Sequence, residues 1–345
     1  MQLAMDQQLE RMNHPRPSGT ESLQLREGSM ALDSVSGTTP TVSVSITAFN
    51  AEQWLPRALE SVLRQRIDFP IEIVIADDCS QDSTLRIARS YREQHPDVVR
   101  VLERRKNLGV QRNTYETLNE CRGRYIACLD SDDYWTDREK LAAQVQVLES
   151  DPLVSVCGTY VRWITTDGEV KRGKYPDLSP GRYGLEEILR HNFIPTSSVA
   201  FRNGIQRKLP PWYFDLASLS DWPIWVLAAC SGDIVLLDRV MADYMLTPGS
   251  SMTSRGDLFW LRMDAELYEQ IESILPVKWH RLVRAEKGKR YESMAYLLRK
   301  QGEFTASRVA ALKAFRSPAL LDNLGGKTKA LLAATVREAQ WRLRG

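Results

Sequence analysis

Gly123-Arg124-Tyr125-Ile126-Ala127-Cys128-Leu129-Asp130-Ser131-Asp132-Asp133-Tyr134-Trp135 is an apolar run that stops abruptly at three carboxylates. Residues 124–129 have the length and composition of a buried strand, so the acids stand where a sheet opens into a cleft. Asp130 and Asp132 are two residues apart, and in extended backbone such side chains face the same way. Carboxylates aimed at one point repel each other unless a cation holds them. Hard oxygen ligands suit Mg²⁺ or Mn²⁺ bridged to substrate phosphates. The competing reading of Asp-x-Asp alone is a solvated acidic turn that caps a helix beginning near Asp137.

The residues upstream supply the context. Val42-Ser43-Val44-Ser45-Ile46-Thr47, Ile71-Glu72-Ile73-Val74-Ile75-Ala76 and Val98-Val99-Arg100-Val101-Leu102 read as strands. Between the first two, Leu55, Leu59, Val62 and Leu63 recur at helical spacing, and between the second and third, Ile87, Ala88 and Tyr91 share one helical face. This βαβαβ order predicts an α/β fold with a mostly parallel sheet flanked by helices. Ligands of open α/β sheets bind beyond the carboxyl ends of the strands. Those ends here are Thr47-Ala48-Phe49-Asn50, Asp77-Asp78-Cys79-Ser80, Asn107-Leu108-Gly109 and the aspartate cluster. They are expected to converge on one crevice.

Four ordered segments carry a family resemblance: Val44–Glu52, Ile75–Thr84, Asn107–Asn113 and Gly123–Asp133. They closely resemble the successive signatures of the family 2 glycosyltransferases, which have the Rossmann-like GT-A fold, and the match extends over about residues 41–255. Four motifs in order are far more specific than any one of them. The resemblance implies a nucleotide-diphospho-sugar donor, usually a UDP-sugar, inversion at the anomeric carbon, and Mn²⁺ or Mg²⁺. Carried onto this chain, it implies that Thr47, Ala48, Phe49 and Glu52 line the base and ribose pocket and that Asp77 accepts the N3–H of uracil, with Asp78 as the alternate. Arg112 falls near the nucleotide and diphosphate, where a solvated arginine at a helix start is the plain alternative. Asp130, with Ser131 beside it, would approach the ribose or the metal, and Asp132 would ligate the metal.

In-line transfer also needs a base opposite the leaving group to take the acceptor hydroxyl proton. Leu219-Ser220-Asp221-Trp222-Pro223-Ile224-Trp225 resembles the family's Glu-Asp-Trp segment, with Ser220 in place of the usual glutamate and Asp221 at the base position. The competing reading of Asp221 is the N-cap of a helix over Trp222–Ala229, with Pro223 in its first turn. Asn192–Ser198 resembles the acceptor-side wall, and His191 before it reads as a helix C-terminal residue. One departure stands out. Where the family often has Tyr-Arg-x-His, this chain has Tyr244-Met245-Leu246-Thr247. The protein shell around the metal is therefore expected to be thin, completed by phosphates and water, or else Ser250 and Ser251 bind the diphosphate directly.

A chain of 345 residues that is 43% apolar can bury a full core. Five cysteines, an odd number without a C-x-x-C pair, suit a reducing cytoplasm. No apolar run approaches the roughly 18 residues of a membrane span. Residues 1–40 are polar and read as a flexible leader, 41–255 as the catalytic domain, and 256–345 as a helical C-terminal extension. Between Lys278 and Arg344 there are 16 Lys and Arg against 5 Asp and Glu. The last segment gathers Leu332, Val336, Ala339 and Leu343 on one helical face. It reads either as peripheral contact with an anionic membrane or as a helix capping the fold. A nucleic-acid partner is not expected, because the basic tail lacks a binding motif.

The sequence thus points to an inverting transferase acting on a glycan or lipid-linked acceptor in surface or extracellular polysaccharide synthesis. A nucleotidyltransferase would need a Gly-rich basic loop after the first strand, where Thr47–Glu52 stands instead. A degenerate sugar-nucleotide binder or assembly scaffold is suggested only by Thr247.

Overall fold

The computed structural model describes residues 39–218, 221–248 and 250–316. The leader up to residue 38, Ser220 and the amphipathic segment 327–345 lie outside the described residues. The elements run β1 (Val42–Ala48), α1 (Leu55–Leu63), β2 (Ile71–Asp77), α2 (Thr84–Gln94), β3 (Val99–Glu103), α3 (Val110–Glu120), β4 (Tyr125–Asp130), β5 (Tyr134–Trp135), α4 (Lys140–Ser150), β6 (Val154–Thr165), β7 (Val170–Tyr175), β8 (Gly181–Tyr183), α5 (Leu185–Arg190), β9 (Ala200–Arg202), α6 (Trp222–Ser231) and β10 (Asp233–Leu246). Three longer helices follow: α7 (Asp257–Ile271), α8 (Val277–Lys300) and α9 (Phe304–Phe315).

The strands form one sheet in the order β3-β2-β1-β4-β9-β6-β10-β5, with β7 on β6 and β8 on β10. The first four are mutually parallel, as the βαβαβ pattern requires. β9 reverses direction between β4 and β6, and β6 and β10 are parallel again.

Both faces of the parallel half are covered. Val44, Ile46, Ile73 and Ile75 pack against Leu55 and Leu59 of α1 on one side. Val74 and Ile126 join Phe201, Trp225 and Tyr268 on the other. The serines that alternate along β1 are therefore buried too, and each needs a partner. Ser43 donates to Glu72 Oε1 at 2.6 Å, and Glu72, itself buried, also receives the Arg122 amide at 2.7 Å and Arg100 Nη1 at 2.8 Å. Gly123 must be glycine for steric reasons: a Cβ there would lie 2.4 Å from the Ser43 nitrogen. This close approach sets β4 beside β1, in a register that puts Thr47 opposite Asp130.

The helical character expected from about Asp257 is present through Phe315. α7 and the start of α8 pack onto the sheet layer, where Leu267, Tyr268, Ile271 and Val283 enter its core. The Tyr268 hydroxyl donates to Leu189 O at 2.5 Å. The rest of α8 and α9 form a separate small core around Tyr291, Ala295, Leu298 and Ala311. No described helix is long and apolar enough to cross a membrane.

Candidate active site

The carboxyl ends of β1, β2 and β4 and the loop after β3 meet as expected, and the hydrogen bonds show how. The Asp78 amide donates to Ala48 O at 2.8 Å, tying the end of β2 to that of β1. Asp78 then accepts the Leu108 amide at 2.7 Å and the Gly109 amide at 3.0 Å, which fastens the Asn107–Gly109 loop. Both Asp78 oxygens serve this anchor. Asp77 differs: its Oδ2 accepts the Ser80 amide at 3.1 Å, while its Oδ1 is buried with no hydrogen-bond partner. A buried acceptor left open at a strand end is the kind of atom a ligand donor completes.

Thr47 is half-buried, Ala48 is buried, and Phe49 stands 50% exposed at the rim. Glu52 spends its Oε2 on the Ser83 amide at 2.9 Å and its own amide on Asp82 at 3.1 Å. It thereby holds the loop before α2 against the loop after β1. Arg112 is exposed on α3, 3.8 Å from Glu116, with its guanidinium 4.9 Å from the Phe214 ring centroid. Its position fits a surface arginine as well as a ligand contact.

The acid cluster is built around the end of β10. Asp133 is 2% exposed, and its Oδ1 accepts the Met245 amide at 2.8 Å while its Oδ2 has no partner. Asp132 Oδ2 accepts the Thr247 hydroxyl at 3.0 Å. Asp130 and Ser131 are half-buried beside them. Burial raises the Asp130 carboxyl to about 7, with the charges of Asp132 and Asp221 adding to the shift. Burial also raises Asp132, opposed by its bond from Thr247, and lifts Asp133 well above the carboxylate range, with Asp132 and Asp130 adding repulsion.

Asp221 precedes α6 without capping it. Its oxygens instead accept Asn192 Nδ2 and the Thr196 hydroxyl, each at 3.3 Å. Burial raises its carboxyl above the usual range. Asp221 and Asp130 line the same small cavity, about 30 Å³, together with Ser45, Thr47, Thr114 and Thr196. That volume suits a single oxygen-sized group between the two carboxylates.

The donor set fits a hard divalent cation. Asp130, Asp132 and Asp133 bring three carboxyl groups together whose ionised forms a cation would favour, and an oxygen of Asp133 is orphaned. Among the described residues no group of three His, Cys, Asp or Glu is placed to hold a metal alone. A cation held by Asp130 and Asp132 would need phosphate oxygens and water to fill its remaining positions. Ser250 heads a single helical turn, Ser251–Ser254, just beyond Thr247.

Several contacts escaped the sequence reading. Thr247 was visible as a departure but not as the partner of Asp132, and nothing marked the Met245 amide. The pairing of Asn192 and Thr196 with Asp221 was signalled only by polar residues in an otherwise apolar stretch.

Residues 43–207 match the family described as Glycosyl transferase family 2. An uncharacterised protein of Mycobacterium tuberculosis is 34% identical over 280 residues, which cover 79% of this chain and 78% of that one. The chain belongs to glycosyl transferase family 2. The succinoglycan biosynthesis protein ExoO of Rhizobium meliloti is 35% identical to this glycosyltransferase over 166 residues, 45% of each chain. Among solved structures, the S. aureus protein TarS 1-349 in complex with UDP-GlcNAc superposes with a TM-score of 0.61 at 20% identity, covering 88% of the glycosyltransferase and 92% of TarS 1-349. That likeness bears out the GT-A fold.

Proposed function

We propose that this glycosyltransferase is an inverting enzyme that moves a sugar from a nucleotide-diphospho-sugar, a UDP-sugar, to a hydroxyl of a glycan or lipid-linked acceptor in polysaccharide synthesis. The observation that carries this reading is that Asp221 and Asp130, the first residue of the acid cluster, line one small cavity. A base on one side of a reacting centre and a diphosphate site on the other is the arrangement a single in-line displacement needs, and a single displacement inverts the anomeric carbon.

In this reading Asp77 Oδ1 accepts the N3–H of uracil, and Thr47, Ala48, Phe49 and Glu52 border the nucleoside. Asp78 holds the loop beneath it. Asp132, with Asp130, would hold Mn²⁺ or Mg²⁺, which when bound would neutralise charge developing on the diphosphate leaving group. Asp221, whose carboxyl burial raises above its ordinary value, takes the proton of the attacking hydroxyl, while Asn192 and Thr196 fix its orientation. TarS crystallises with UDP-GlcNAc, and ExoO is named for a polysaccharide pathway; both support the donor and product class. The catalytic unit is taken as residues 41–255, followed by an extension that is helical from Asp257 to Phe315.

Thermal denaturation with a panel of nucleotide diphosphates, each with and without Mn²⁺, tests the donor. A ligand that binds the native state raises the melting temperature. UDP with Mn²⁺ should stabilise the protein more than GDP with Mn²⁺, and more than UDP in EDTA. Equal responses to all nucleotides, or none, would overturn the assignment.

A further inference from the structure

The last turn of α5 is held from outside itself. The His191 amide closes that turn on Glu187 O at 3.2 Å, and the backbone then becomes extended at His191. The carbonyls of Ile188, Leu189 and Arg190 are thus left without helical partners, as at any helix end. Each accepts a side chain instead. Trp222 Nε1, at the start of α6, donates to Ile188 O at 2.8 Å. The Tyr268 hydroxyl of α7 donates to Leu189 O, and Arg290 Nη2 of α8 donates to Arg190 O at 3.0 Å. Arg290 Nη2 also lies 3.5 Å from the Tyr268 hydroxyl, and the Trp222 and Tyr268 rings meet edge to face with centroids 5.6 Å apart and planes at 80°. The three donors therefore form one cap.

Two of them come from the helical extension, beyond the residues 43–207 that match the family. Neither is loosely placed. Tyr268 is 1% exposed. The Arg290 side chain is 16% exposed and pairs through Nε with Asp264 at 2.8 Å and through Nη1 with Glu286 at 3.5 Å, while Glu286 also takes Arg190 at 3.2 Å. A guanidinium withdrawn from water needs carboxylates and hydrogen bonds around it. Here Nε and Nη1 meet the two acids, and Nη2 is turned to α5.

The cap ends where the base begins. Asn192 follows directly on the capped turn, and its side chain donates to Asp221 Oδ1 at 3.3 Å. Trp222, the residue after Asp221, is tied to the same turn, so the end of α5 governs both partners of that bond. Phe193 and Ile194, the next two residues, are buried in the core. Carbonyls freed at 189 and 190 would turn toward other donors, and the turn would shift or fray. A displacement of about 1 Å in the groups that serve a reacting centre can cost about 10²-fold in rate.

We propose that Tyr268 and Arg290 are positioning residues for transfer: by holding the last carbonyls of α5 they keep the Asn192 side chain on Asp221, which gives α7 and α8 a part in catalysis. This rests on the reading of Asp221 as the base.

Hydrogen exchange and steady-state kinetics on the full chain test the two halves. Tyr268→Phe keeps the ring against Trp222 and removes only the hydroxyl. Arg290→Lys keeps a positive charge beside Asp264 and Glu286 without the fork that also reaches Arg190 O. Leu298→Ala loosens the small core of α8 and α9 and leaves the donors of the cap in place. Exchange of the amides of residues 191–194 should rise about tenfold or more in Tyr268→Phe and Arg290→Lys and stay within about twofold of the wild type in Leu298→Ala. Release of UDP from UDP-glucose, UDP-galactose and UDP-N-acetylglucosamine with Mn²⁺, water being the acceptor, reads the chemistry. For the sugar nucleotide that is turned over, kcat should fall about tenfold in Tyr268→Phe and Arg290→Lys with KM unchanged, should hold in Leu298→Ala, and should fall no further when either substitution is added to Asn192→Ala. Unchanged exchange at residues 191–194, a wild-type kcat in both variants, or losses of kcat that multiply with that of Asn192→Ala would overturn the proposal. Two controls separate it from the readings beneath it. Wild-type release by Asp221→Asn counts against the base, and release from none of the three sugars by the wild type counts against the donor, with the exchange result then deciding the cap on its own.

Discussion

The hydroxyl of Thr247 donates to Oδ2 of Asp132 at 3.0 Å. The residue at the position where the family often has a histidine thus touches the carboxylate expected to hold the metal. Thr247→Val removes the bond that helps keep Asp132 ionised, and losing a hydrogen bond to a charged group costs about 1.5–3 kcal/mol. The Mn²⁺ concentration for half-maximal transfer should rise about tenfold or more, and Thr247→His, which adds a nitrogen ligand, should lower it below that of the wild type. Identical Mn²⁺ titrations for all three proteins would separate Thr247 from metal binding.

The acid cluster gives stability a pH dependence with a definite sign. Asp130 in the folded protein titrates near 7, above its ordinary value of 3.8, so the folded state holds its proton more tightly than the unfolded chain does. Between those values stability falls as pH rises, and it levels off above about 7. Metal-free protein should therefore show a falling contribution to its melting temperature from about pH 4 to 7, found by subtracting the profile of Asp130→Asn. Mn²⁺ should flatten it. Matching profiles for wild type and Asp130→Asn would show that Asp130 is not raised.

Asp77 and Asp78 are adjacent but should fail in different ways. Asp78→Ala strands the Leu108 amide and leaves the Gly109 amide with Asn107 Oδ1 alone, and should lower the melting temperature at a cost of about 1–3 kcal/mol for the unsatisfied group. Asp77→Ala removes the open Oδ1 and should weaken UDP binding about tenfold or more while costing less stability. Equal losses of stability with unchanged UDP affinity would remove Asp77 from the base pocket.

Much of this arrangement was legible because it is local. The alternation of strand and helix between Val42 and Asp130 specifies a parallel sheet, and a parallel sheet brings its carboxyl ends together, so Asp77 and Asp130 could be placed on one crevice without coordinates. Contacts between distant segments had no such periodic signal. Thr247 meets Asp132 because β10 returns beside β6 and β5, and Asn192 meets Asp221 because the loop after α5 folds over the start of α6. Asp221 also shows how one local signal serves two structures. Asp before an apolar run with proline is a helix start, and α6 does start there, yet the carboxylate turns to Asn192 and Thr196 and leaves the helix uncapped by its side chain. Burial of both faces of β1 likewise depends on layers that its own alternating serines do not encode.

The most direct test of the account is transfer by Asp221→Asn, measured alongside UDP binding in the presence of Mn²⁺. The amide keeps the size of the side chain and cannot accept the hydroxyl proton. Loss of the base should lower transfer by roughly 10²-fold or more, and UDP affinity should stay close to that of the wild type. Turnover like that of the wild type in a well-folded Asp221→Asn protein would contradict the assignment of Asp221 as the base, and with it the mechanism built on the Asp130–Asp221 cavity.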